Sequence, residues 1–198
     1  MSANDVAPDY AKSALLVWDM VYGIAPGASN FQEVLANTKK LIGSARSSGV
    51  PVFYSQHAGL PPRYQSKFNV YTLKRRGLDP TKAGYLKEGT HDWEIIAEVA
   101  PVDGDTVIKK YTPSFFIGTN LEQMLRNSGV ETVIIVGVAT EIGVEATARH
   151  AAYLGFIPVV VSDAVGGRNA DLHAKSLDVM RSLCEVQTTD YVIRRITK

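Results

Sequence analysis

The chain has 198 residues, long enough to bury a substantial core as one domain, and 45% hydrophobic with 21% charged residues is typical of a globular protein. Its 21 basic and 20 acidic residues give a formal net charge of +1, which provides no electrostatic case for a nucleic-acid or membrane partner. A single cysteine, Cys184, excludes an intrachain disulfide and a cysteine-rich metal site, and no apolar run approaches the roughly 20 residues that span a bilayer. We therefore expect a single domain over residues 1–198 in the cytoplasm, with a small-molecule partner, no nucleic acid, no membrane and no cofactor.

Short apolar runs alternate with helical patterns along the chain. Strands are predicted at residues 14–18, 51–54, 106–109, 157–161 and 185–187, and a further strand begins at residue 134. Helices are predicted at residues 31–47, 120–127 and 171–183, and a further helix ends near residue 153. Residues 191–193 suggest a terminal turn or helix, while residues 58–89 lack clear periodicity and are typical of a lid, a binding loop or an oligomer contact. The alternation predicts a three-layer α/β/α Rossmann-like fold with a mainly parallel six-stranded sheet.

Polar residues stand where the predicted strands end. Asp19 follows the first strand, Gln56 the second and Lys110 the third, and a turn leads to Gly143 after the fourth. Ligands of such sheets bind at the carboxyl ends of the strands. The order of residues therefore indicates a functional site at this edge of the sheet.

The stretch after the fourth strand carries the most information. The apolar run 134–138 contains Gly137 and is followed by Ala139-Thr140-Glu141-Ile142-Gly143, after which the pattern restarts as a helix. This predicts a buried strand, a sharp turn and a helix N-terminus.

From residue 14 to about residue 193, the chain resembles the isochorismatase-like, or cysteine hydrolase, superfamily, which includes nicotinamidases and N-carbamoylsarcosine amidases. The resemblance rests on motifs in a specific order: Leu-Val-Trp-Asp19-Met, Lys110 followed by Ser-Phe115-Phe, Gly-Val138-Ala139-Thr, the helix Glu-Ala-Thr-Ala-Arg149, and Val-Val-Ser-Asp163-Ala. It implies a hydrolase that forms a homodimer or homotetramer.

In the amidase members, an Asp and a Lys at the positions of Asp19 and Lys110 serve a cysteine nucleophile, and that position is Gly143 here. Glycine has no side chain, so nucleophilic catalysis from this position is impossible. Cys184 lies near the end of the last long helix and is interpreted as a structural thiol. Isochorismatases, in this resemblance, also keep the Asp and the Lys and have glycine where the amidases have cysteine, whereas the Thr140-Glu141 pair follows the amidase pattern.

By this resemblance, Asp19 is the general acid for a vinyl ether, Lys110 positions Asp19 or a substrate carboxylate, and Gly143 leaves room for the ligand. Gln56 and Arg63 resemble the substrate loop of isochorismatases, where a glutamine and an arginine hold carboxylates. Phe115 is the better pocket candidate of the two phenylalanines. Val138 and Ala139 are expected to be joined by a cis peptide bond that aims backbone N–H groups at an oxyanion.

Other interpretations of these residues stay open. Trp18 precedes Asp19 and should point to the opposite side of its strand, into the core. His57 aligns with a metal-binding histidine of nicotinamidases, but Ser55 stands where their aspartate would be, so no metal is expected. The alternatives to a vinyl ether hydrolase are an amidase whose cysteine is replaced and a noncatalytic ligand-binding protein.

Overall fold

A parallel sheet forms the centre of the molecule. The computed structural model describes residues 7–75, 77, 79 and 86–198. Its strands are β1 (Ser13–Trp18), β2 (Val52–His57), β3 (Thr106–Lys110), β4 (Thr132–Val138), β5 (Ile157–Gly166) and β6 (Glu185–Gln187). They lie in the order β3-β2-β1-β4-β5-β6, and each neighbouring pair is parallel. The described residues thus confirm the predicted six-stranded parallel sheet.

Helices cover both faces of this sheet. They are α1 (Phe31–Ser47), α2 (Lys67–Arg75), α3 (Leu121–Asn127), α4 (Glu145–Tyr153), α5 (Ala170–Arg181) and α6 (Thr189–Ile196). The last two begin at side-chain caps, because Asn169 accepts a hydrogen bond from the Leu172 N–H and Thr188 accepts one from the Tyr191 N–H. In the part of the chain that the structure describes, no helix has the length and apolar character needed to cross a bilayer.

Two buried clusters fill the space between the layers. One contains alternate β1 residues, Leu15 and Val17, and packs under α1 and α6. The other contains Ala14, Leu16 and Trp18 and packs under α3, α4 and α5. All six residues of β1 are buried because this strand lies in the middle of the sheet with helices on both sides.

β2 and β5 end several residues later than the sequence indicates. β2 continues to His57, so Ser55, Gln56 and His57 lie in the strand and not after it, because His57 pairs with Lys110 of β3. β5 continues to Gly166, since its end pairs with Val138 of β4. In both cases a neighbouring strand extends the pairing beyond the apolar run.

The long segment at 58–89 has regular structure where it is described. It contains a 3-10 turn, Pro62–Tyr64, followed by α2, and none of the nine residues of α2 is buried. Residues 76, 78 and 80–85 of this segment lie outside the described residues. The helix was not predicted, since a helix that buries no side chain leaves no apolar periodicity in the sequence.

Candidate active site

An ion pair is buried where β1 and β3 end. The Lys110 Nζ lies 2.8 Å from the Asp19 Oδ2, and the two side chains are 0% and 1% exposed. Ser55 of β2 completes the contact: its hydroxyl donates to the Asp19 Oδ1 at 2.7 Å and accepts a hydrogen bond from the Asp19 backbone N–H at 3.1 Å. Both carboxylate oxygens are therefore engaged, as a buried charge requires. The structure brings Asp19 and Lys110 together as predicted and adds Ser55, which had no assigned role.

The backbone of Asp19 determines where its side chain points. Its φ is +44°, a left-handed value that is uncommon for residues other than glycine and is often found at functional sites. This turn interrupts the alternation of side-chain directions along β1, so the side chains of Trp18 and Asp19 do not point to opposite faces of the sheet. Both contact the ammonium group of Lys110, which lies 3.7 Å from the centre of the Trp18 ring. Trp18 is buried as predicted, but the expected separation from Asp19 is wrong.

The Lys110 ammonium lies against an aromatic ring and a carboxylate. Burial lowers the pKa of Lys110, and the charge and hydrogen bond of Asp19 oppose this shift. The contact with the indole is a cation–π interaction, which is stronger when the cation is removed from water. Lys110 is thus held in place on two sides.

Residue 143 lies in a tight turn at the start of α4. The turn Thr140–Val144 is π-helical, and the Ala139 carbonyl accepts hydrogen bonds from the N–H groups of Gly143 at 3.0 Å and Val144 at 3.2 Å. The Gly143 N–H is therefore already bonded within the protein. The peptide bond between Val138 and Ala139 is cis, which confirms that prediction. The oxyanion role of Val138 and Ala139 stays a prediction.

The space above Gly143 is filled. A Cβ atom at this position would overlap the Cη2 and Cζ2 atoms of the Trp18 ring, far inside the contact distance of roughly 3.5 Å. The expectation that Gly143 leaves room for a ligand is therefore wrong in this structure. The room made by the missing side chain is taken by the indole.

His57 is the titratable group beside this ion pair. It ends β2 directly opposite Lys110, and it is partly buried. Burial, and secondarily the positive charge of Lys110, lower its pKa to about 4, while Asp19 acts in the opposite direction. The imidazole is therefore neutral at pH 7. The sequence suggests for His57 only a comparison with a metal-binding histidine, and its place opposite Lys110 becomes visible only in the pairing of β2 with β3.

The structure does not bring the remaining predicted residues to the ion pair. The Gln56 amide donates to the Trp93 carbonyl at 2.8 Å, and Arg63 is exposed, with its guanidinium 4.6 Å from the centre of the Tyr64 ring. Gln56 and Arg63 therefore have no contact that supports a carboxylate-binding role. Phe115 is 0% exposed and lies in the same buried cluster as Trp18, so it is a core residue and not a pocket wall.

Two cavities and Cys184 lie away from the ion pair. Two cavities of the described residues, about 550 and 540 Å³, are beside β3 and beside the end of α5, and neither is lined by Asp19, Lys110 or Gly143. Within the described ranges, no group of three or more His, Cys, Asp or Glu could hold a metal ion. Cys184 is half-buried, and burial raises the pKa of its thiol to about 11, so it is protonated at neutral pH.

Known proteins are similar to this chain over much of its length. A protein of Escherichia coli O157:H7, the uncharacterized isochorismatase family protein YecD, is 32% identical over 188 residues, which cover 93% of this chain and 96% of that protein. The ureidoacrylate amidohydrolase RutB of Rhizobium rhizogenes is 35% identical over 141 residues, which cover 66% of this chain and 56% of that protein.

The solved structures agree with this likeness. The crystal structure of a cysteine hydrolase from Pseudomonas syringae pv. phaseolicola superposes with a TM-score of 0.83 at 25% identity, covering 94% of this chain and 93% of that one. The family model for the isochorismatase domain matches residues 13–191, which is most of the chain. The resemblance inferred from the motifs is confirmed, and this chain belongs to the isochorismatase family of hydrolases.

Proposed function

We propose that this hydrolase cleaves a small carboxylate-bearing vinyl ether, isochorismate-like in its chemistry, by acid catalysis from Asp19 and without an enzyme nucleophile. One observation carries the proposal: the buried Asp19–Lys110 pair is complete, while residue 143 has no side chain and its space is occupied by Trp18. Proton transfer is the chemistry that the side chains present here can supply. A vinyl ether suits this chemistry, since its hydrolysis needs a proton on carbon and then water.

The first step requires a proton on Asp19. Lys110 supplies it along the 2.8 Å contact between Nζ and Oδ2, and burial, which lowers the pKa of the Lys110 ammonium, favours this transfer. The neutral acid then donates the proton to the vinyl carbon and leaves an oxocarbenium ion. Ser55 keeps the other oxygen of the carboxyl group fixed throughout.

The second step is the attack of water on the oxocarbenium ion. Water loses a proton as it adds. His57, the neutral base opposite Lys110, takes up this proton and passes it to the neutral Lys110 amine, which restores the Asp19–Lys110 ion pair. The resulting hemiketal then breaks into a carbonyl compound and an alcohol. Gln56 and Arg63 are not part of this mechanism, because their contacts hold them to Trp93 and Tyr64.

The similarity to a ureidoacrylate amidohydrolase favours a second candidate, hydrolysis of a C–N bond. In the resemblance described above, that chemistry uses a cysteine at the position of Gly143. This chain has neither the thiol nor the space for it. A third possibility is a family member that binds a ligand without turnover.

The decisive experiment compares the purified protein with two carboxylate variants. Enolpyruvyl ethers, isochorismate among them, are tested by coupled detection of the released pyruvate, and ureidoacrylate is tested in parallel by ammonia release. Asp19→Asn should lower kcat on the cleaved ether at least about 100-fold, because general acid catalysis typically contributes that much. The matched control is Asp103→Asn, since Asp103 is exposed in the turn before β3 and should leave kcat unchanged.

Each outcome has a clear meaning. Equal rates for the wild type and Asp19→Asn would remove Asp19 from the mechanism. Turnover of ureidoacrylate without turnover of any ether would favour the amidase, and calorimetric binding of an ether without turnover would favour the noncatalytic alternative.

A further inference from the structure

Trp18 is held over residue 143 by three contacts. Its indole N–H donates to the Thr147 hydroxyl of α4 at 3.0 Å, its face receives the Lys110 ammonium at 3.7 Å, and its benzo edge lies against the Cα of Gly143. The side chain is buried, and Thr147 is in turn fixed by the backbone N–H of Phe115 at 3.2 Å. The indole therefore has one tightly determined position.

The overlap concerns a specific part of the ring. Of the atoms nearest to the point that a Cβ would occupy at residue 143, the three closest all belong to the six-membered ring of Trp18. An ordinary aliphatic side chain at position 18 lacks these atoms. The fit thus depends on both residues: the indole requires glycine at 143, and any side chain at 143 requires a smaller residue at 18.

We propose that Trp18 is a specificity-determining residue, which fills with its indole the volume that a side chain at position 143 would occupy and so closes the site to covalent catalysis from that position. Thiol chemistry at position 143 is excluded for two reasons: Gly143 has no side chain, and the Trp18 indole occupies the space that a side chain there would need. Replacing Gly143 by cysteine alone therefore does not create a nucleophile, whereas shortening Trp18 at the same time does. This inference does not depend on which substrate the protein cleaves.

The steric part is tested by a double-mutant cycle of Gly143→Ala and Trp18→Val, followed by thermal unfolding. In the wild type, Gly143→Ala should lower Tm by at least about 5 °C, because overpacking a buried site is costly. In the Trp18→Val protein the same change should leave Tm unchanged or raise it, since alanine is the better helix former once the clash is gone. A fall of similar size in both backgrounds would show that the two residues are not coupled and would overturn the proposal.

The chemical part is tested with cysteine at the same position. All variants carry Cys184→Ser, so that the introduced thiol is the sole one, and its alkylation by iodoacetamide is followed by mass spectrometry. The thiolate sulfur displaces iodide from the reagent and forms a C–S bond. The control is Gly43→Cys on α1, where the side chain would be exposed and no atom lies within 4 Å of the added Cβ.

The double variant Trp18→Val with Gly143→Cys should fold, and near neutral pH it should be alkylated faster than the other cysteine variants. The midpoint of its pH–rate profile should lie at least about one pH unit below that of the Gly43→Cys control. The reason is that a thiolate beside the Lys110 ammonium and the start of α4 is stabilised. Gly143→Cys alone should lose at least about 5 °C in Tm, or fail to fold. A single variant as stable and as reactive as the double variant would overturn the proposal, and so would a double variant that fails to fold.

Discussion

The buried residues around Asp19 form a set in which each charge depends on a neighbour. The carboxylate has Ser55 and Lys110, and Lys110 has Asp19 and the Trp18 ring. A buried ion pair of this kind adds little net stability, since desolvation offsets the attraction, but removal of one partner is strongly destabilising. Such an arrangement is therefore better explained by chemistry at the site than by stability of the fold.

His57 gives this site a measurable pH dependence. The pKa of His57 is about 4 in the folded protein, against 6.5 for an unperturbed histidine, because burial and the nearby Lys110 disfavour the charged imidazole. Between these two values the unfolded chain takes up a proton that the folded chain does not. The free energy of unfolding should therefore fall as the pH drops from about 6.5 to about 4, by about 3 kcal/mol from this group.

Urea denaturation at intervals from pH 7.5 to 4 measures this effect. His57→Gln should flatten the fall in this window relative to the wild type. Equal pH slopes for the wild type and His57→Gln would contradict the assignment of the shift to His57.

The site depends on how closely β1 and β4 approach each other. Trp18 pairs with Gly137 in the sheet, and the φ of Gly137 is +110°, a value that side chains with a Cβ rarely adopt. A Cβ there would overlap the Trp18 carbonyl oxygen. Because this oxygen belongs to the backbone of a central strand, it cannot move aside easily.

Gly137→Ala should therefore lower the free energy of unfolding by at least about 3 kcal/mol, through both the strained φ and the overlap. Gly129→Ala is the matched control: its φ is +68° and no atom lies within 4 Å, so only the strain of about 1–2 kcal/mol applies. Urea denaturation gives both values. Equal losses for the two variants would mean that the strands separate easily at this point.

The sequence predicts elements well where their apolar pattern is local. The bounds predicted for α1 agree with the structure, because its buried residues recur at helical spacing and Gly49 follows its end. The end of β2 was predicted too early, since pairing with β3 and not local composition extends it to His57. Asp19, Lys110 and Gly143 could be found from strand ends and motifs. The contact of Trp18 with residue 143 could not, because it depends on how the start of α4 packs against the end of β1, which only the fold reveals.

The two central strands of the sheet support the site. Every residue of β1 and β4 is buried, whereas β3 and β6 lie at the two edges of the sheet and are partly exposed. Asp19 and the turn to Gly143 both follow central strands, but Lys110 comes from an edge strand. The ion pair thus joins the most buried part of the sheet to one of its margins.

Hydrogen exchange followed by mass spectrometry should reflect this difference. Amides of β1 and β4 should exchange only through global unfolding, while those of β3 should exchange faster, because an edge strand can separate with little loss of buried area. Asp19→Asn should accelerate exchange in β3 more than in β6, since it weakens the tie between Lys110 and the centre, and β6 at the opposite edge serves as the internal control. Protection of β3 equal to that of β1 would contradict the expectation and would mean that another chain covers this edge, as in the homodimer or homotetramer that is still only a prediction from the resemblance.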